Sequence, residues 1–104
     1  MNRLLHEKVI EDTVTLRSTE EHERAVHEET SELSMTIAHH ARGRTTLGEV
    51  MKEVADVILA CEVFLAANNI DQESFDLVMN DELKRMDMKN KSLKVQKSGP
   101  TFSD

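Results

Sequence analysis

The chain has 104 residues, 13 basic and 20 acidic side chains and a formal net charge of −7, a field that repels phosphate backbones and excludes general nucleic-acid binding. Glycine at three, proline at one and an abundance of Glu, Leu, Ala, Lys and Met exclude a sheet-rich fold and predict an all-α domain. No apolar run approaches the ~20 residues of a membrane span, and the opening MNRLLHEKVIEDT reaches charge too early for a secretory signal, so a cytoplasmic location is expected.

Four helices are expected, in a bundle. The first covers about residues 2–17, with Leu4, Leu5, Val9 and Leu16 as a thin apolar stripe. Ser18 with Glu21 reads as a capping box opening a second helix over about 19–41, which Gly43 terminates in a left-handed conformation. Thr46 with Glu49 reads as another capping box for a third helix over about 47–67. Asn68 and Asn69 end it, and Asp71 caps a fourth over about 72–90. The domain is expected to span residues 1–91, with 92–104 as a flexible tail. A core this small makes burial inside an oligomer an expected supplement.

The third helix carries Leu47, Val50, Met51, Val54, Ile58, Cys61 and Leu65 on one wide face, which Val57, Ala60 and Phe64 extend. Cys61, the single cysteine, reads as a buried hydrophobe with no partner for an internal disulfide. Glu62 is expected to face solvent, opposite Glu53. Glu53 and Asp56 are harder to place, since they sit directly above Val57, Ala60 and Phe64.

Residues three apart on a helix point nearly the same way. Glu29 and Glu32 therefore form one pair on the second helix, and Glu53 and Asp56 another on the third. A short turn around Gly43 makes the two helices an antiparallel hairpin. Glu32 lies about ten residues before the turn and Glu53 about ten after it, which sets the pairs at matching height. Four converging carboxylates repel one another, and a divalent cation relieves that repulsion; oxygen-only ligands indicate Mg²⁺ or Mn²⁺.

Glu28-Glu29-Thr30-Ser31-Glu32, twenty intervening residues and Glu53-Val54-Ala55-Asp56 resemble the E-E-x-x-E…E-x-x-D pattern of MazG-type nucleoside triphosphate pyrophosphohydrolases. These belong to the all-α NTP pyrophosphatase superfamily. The resemblance extends over about residues 20–91, since LGEVMKEVADVILACEVFL looks like the second motif helix. It implies cleavage of the α–β bond of a nucleotide to a monophosphate and pyrophosphate, by dimers or dimers of dimers that share sites. It implies Glu29, Glu32, Glu53 and Asp56 as Mg²⁺ ligands, and Glu28 at a second metal or at the attacking water. It also implies phosphate contacts from the basic end of the fourth helix, where Lys84, Arg85, Lys89, Asn90 and Lys91 are the candidates. The alternative is a non-catalytic helical interaction protein that retains the acidic motif.

The five histidines, His6, His22, His27, His39 and His40, form no H-E-x-x-H motif, and no Glu-x-x-His occurs, which argues against a ferritin-like di-iron site. They read as surface or loop-proximal residues, with His6 or His27 a candidate for contacting a nucleobase. The methionines read as core filler.

Overall fold

The computed structural model describes residues 1–98, and all four expected helices are present: α1 (Arg3–Leu16), α2 (Thr19–Ala41), α3 (Leu47–Ala67) and α4 (Gln72–Lys97). No strand occurs among the described residues, and no helix among them is long and apolar enough to cross a membrane. The chain divides into two compact units, residues 1–70 and residues from Asp71 onward.

Local chemistry fixes the ends of the helices in the first unit. Asn2 caps α1, its Oδ1 accepting from the Leu5 amide at 3.0 Å. Ser18 and Glu21 form the reciprocal capping box at the start of α2, with both bonds at 3.2 Å. At the end of α2, Gly43 takes φ +73°, the Arg44 amide donates to the His39 carbonyl and the Gly43 amide donates to that of His40, each at 2.9 Å. That is a Schellman turn, and glycine adopts its left-handed residue without a Cβ penalty. Thr46 then caps α3 through the Glu49 amide at 3.1 Å, but only this half of the expected capping box forms. Asn69, at φ +60°, closes α3 with the same Schellman pattern, the Ile70 amide donating to the Leu65 carbonyl at 3.0 Å.

The α2–α3 turn is pinned from within. The Thr45 hydroxyl donates to the Thr36 carbonyl at 3.2 Å, and His40 Nδ1 lies 3.0 Å from the Thr45 carbonyl. These bonds fix α2 and α3 as a hairpin, and α3 packs against both α2 and α1.

The rotation of α3 is the informative feature. In its first half the packed face is Val50, Glu53, Asp56, Val57 and Ala60, while Leu47, Met51, Val54 and Ile58 are exposed. The helix turns its acids inward and leaves much of its apolar stripe exposed. The core proper is Val63, with Cys61, Phe64 and Leu65 half-buried around it.

Two expectations change. Glu62 is half-buried rather than turned to solvent, with its Oε2 2.7 Å from His6 Nε2 across the α1–α3 contact. His22 is the buried polar residue at 3% exposed, its Nε2 3.4 Å from the Val14 carbonyl, so it is a core rather than a surface histidine.

In the second unit, Asp71 caps α4 by accepting from the Ser74 amide at 2.7 Å. The helix continues to Lys97, through residues 92–97 that the sequence places in a tail; residues 99–104 lie outside the described part.

Candidate metal centre

Glu29 reaches inward from α2, and Glu53 and Asp56 reach inward from α3. One carboxylate oxygen from each lies within 4.8 Å of the others. Two of the carboxylates are incompletely satisfied: Glu29 Oε2 and Glu53 Oε2 are both buried without a hydrogen-bond partner. Orphaned buried carboxylate oxygens are costly, and few arrangements tolerate two of them side by side.

Burial is the main reason that the Glu29 carboxyl titrates above its ordinary value of 4.5, and the charges of Glu32, Asp56 and Glu53 push it further the same way. Lys52 opposes them. Its Nζ lies 2.8 Å from Asp56 Oδ2 and 3.8 Å from Glu53 Oε1, although the lysine side chain is 70% exposed. The bond to Asp56, followed by the Asp56 and Glu53 charges, raises the Lys52 ammonium above its ordinary value.

The donor set fits a hard divalent cation. It consists of oxygen atoms only, and two ligands on opposite sides of Mg²⁺ at about 2.1 Å stand about 4.2 Å apart. The 4.8 Å limit on this trio leaves only a small side-chain adjustment to close around such an ion. The remaining coordination positions suit water or phosphate oxygens, as Mg²⁺ prefers.

Of the four expected ligands, three are brought together. Glu32 is exposed one turn along α2 and stands outside the trio, acting on it through its charge. Glu28 is also exposed and faces elsewhere. It lines a cleft of about 380 Å³ formed by α1, α2 and α3. Val9, Ile10, Leu59, Ala60 and Val63 give that cleft its apolar wall, and Arg17, Glu21, His22 and Arg24 give it polar edges.

The expected phosphate contacts lie on α4, in the second unit. All five are exposed, and two are engaged within the helix: Arg85 Nε donates to Glu82 Oε2 at 3.0 Å, and Lys91 Nζ lies 3.1 Å from Asp87 Oδ2. His6 is committed to Glu62; neither it nor the exposed His27 is among the residues lining the cleft.

Sequence reasoning missed Lys52, Arg17 and Arg24. The sequence signal for Lys52 is Lys-Glu-x-x-Asp, which sets a cation next to one acid and one turn before the other. Arg24 stands one turn before Glu28 in the same way. No protein-family model, curated protein or solved structure matches the chain.

Proposed function

We propose that the chain is a Mg²⁺-dependent nucleotide pyrophosphohydrolase that cleaves the α–β bond of (d)NTPs. The observation that carries this reading is the convergence of Glu29, Glu53 and Asp56 from two helices, with two buried carboxylate oxygens left unpartnered. A structural ion-pair network would satisfy those oxygens; a cation site leaves them free.

In this reading Glu29, Glu53 and Asp56 hold the ion, and Glu32 closes on it from the next turn of α2. The bound ion supplies neutralisation of phosphate-oxygen charge and a more acidic water. Glu28 stands between the trio and the cleft in the chain order of α2, where its exposed carboxylate suits it to orient and deprotonate a water. The cleft receives the base and sugar, with an apolar wall for the ring and Arg24 and Glu28 for polar edges. The exposed stripe of Leu47, Met51, Val54 and Ile58 supports a homo-oligomer, since so much apolar side chain on one helix face favours a covering partner.

The test is a panel of ribo- and deoxyribonucleoside triphosphates with Mg²⁺, read for pyrophosphate and monophosphate together. Release of both from at least one nucleotide, abolished by Glu53→Ala, is expected. Orthophosphate as the sole product, or no product from any nucleotide, counts against the assignment.

The alternative is a non-catalytic interaction protein that retains the acidic motif, for which the exposed stripe of α3 is the contact face. That reading predicts assembly without any affinity for Mg²⁺ or Mn²⁺.

A further inference from the structure

Helix spacing brings Lys52 beside Asp56, but in the weaker of the two possible orders. A lysine four residues before an aspartate is the weaker order for a helical ion pair, because the acid-first order is the one the helix field favours. Glu49, three residues before Lys52, offers an acid-first partner on the solvent side. Nevertheless the ammonium turns to the cluster, 2.8 Å from Asp56 Oδ2 and 3.8 Å from Glu53 Oε1. Its charge also reaches Glu29 across the hairpin. Two acids of α3 thus share one cation on a long, solvent-exposed stem, and the third acid of the trio, Glu29, stands beside them on α2.

We infer that Lys52 is a tethered counter-ion of the carboxylate site, which holds the place of the divalent cation and must be displaced from Asp56 for that cation to bind. The inference rests on the reading of Glu29, Glu53 and Asp56 as a cation site. Its consequence is a built-in threshold. The ammonium steadies the empty cluster and opposes the first divalent ion, so the site fills only at cation concentrations that outcompete a group already present. Its mobility makes the exchange easy, because an exposed lysine stem loses little packing on moving. Once displaced, the same ammonium stands beside the site as a positive charge for the anionic substrate that arrives with the ion.

The experiment is a titration of the chelator-treated full chain with Mn²⁺, read by the loss of the free-ion electron paramagnetic resonance signal. Wild type, Lys52→Gln, Lys52→Ala and Lys52→Arg are compared, each checked for intact helicity by circular dichroism. Removing one exposed charge next to the site is expected to tighten Mn²⁺ binding about three- to tenfold in the Gln and Ala variants. The Arg variant stays near wild type. Without metal, the Gln and Ala variants melt below wild type, and Mn²⁺ raises their melting temperature by more than it raises that of wild type. Unchanged or weaker binding in Lys52→Gln and Lys52→Ala, beside a wild type that binds, overturns the role of Lys52 and leaves the cation site standing. Binding by none of the four proteins overturns both.

Discussion

Glu29 on α2 and Glu53 on α3 each bury an Oε2 atom that has no hydrogen-bond partner, and the two carboxylates face one another across the hairpin with Asp56 beside them. The fold holds these acids together although their charges oppose it. In the metal-free protein they are a local source of instability, which gives the site a signature independent of turnover.

Glu29→Gln keeps the shape of the side chain and removes one of the repelling charges. In metal-free buffer it is expected to stabilise the protein by about 1 kcal/mol. With Mg²⁺ or Mn²⁺ present the order reverses, because only the wild type gains the binding free energy. Urea unfolding with and without the cation reads both signs.

The pH dependence follows from the same residue. A carboxyl whose folded-state pKa is raised holds its proton more tightly when folded. Its contribution to stability is therefore full below the ordinary value of 4.5 and is lost as pH rises through the raised folded value. Glu21 and Asp71, held low by their cap bonds with Ser18 and Ser74, act the other way, their contributions being lost as pH falls. The difference between wild type and Glu29→Gln isolates the first effect: metal-free wild type loses stability relative to the variant as pH rises from 4.5. A flat difference across that range rules out a strained Glu29.

The cleft is tested by filling it. Thr13→Leu adds bulk to a residue of its lining on α1, a helix that carries none of the trio. The expected outcome is a KM raised about tenfold or more, from clashes of the kind overpacking produces, with Mn²⁺ affinity within about twofold of wild type. Equal loss of both places the base elsewhere.

The exposed stripe on α3 gives a test of assembly. Ile58 is 53% exposed and Met51 63%. Ile58→Lys is expected to leave the helical content intact and to shift the mass measured by light scattering toward the monomer. A wild type that is already monomeric at high concentration removes the oligomer from the account.

Gly43 is the hinge of the whole arrangement. Its φ of +73° strains any L side chain, although an added Cβ would meet no atom within 4 Å. Gly43→Ala is therefore expected to cost about 1 kcal/mol from backbone conformation alone, measured by urea unfolding. It also loosens the register of Glu29 against Glu53, so cation affinity falls with it.

Much of this arrangement is legible in the residues. Ser18 with Glu21, Gly43, Thr46, Asn69 and Asp71 announce the helix ends because each satisfies or terminates a backbone end by local chemistry. The acid pairs announce themselves by equal distance from one turn. The rotation of α3 is less legible, since hydropathy alone would bury Met51, Val54 and Ile58 and expose Glu53 and Asp56. The contact with α2 reverses that order. The end of α4 is less legible because SLKVQK lacks a clear apolar stripe, although it contains no helix-breaking residue and stays helical to Lys97. The places of His22 and Glu62 are not legible locally because their partners, Val14 and His6, come from α1.

The most direct measurement is the Mn²⁺ titration of metal-free wild type beside Asp56→Asn and Glu53→Gln. Saturable binding by wild type at one site or more per chain is expected, lost in both variants while their helicity is retained. Absence of binding by wild type, or binding that survives both substitutions unchanged, would contradict the cation site.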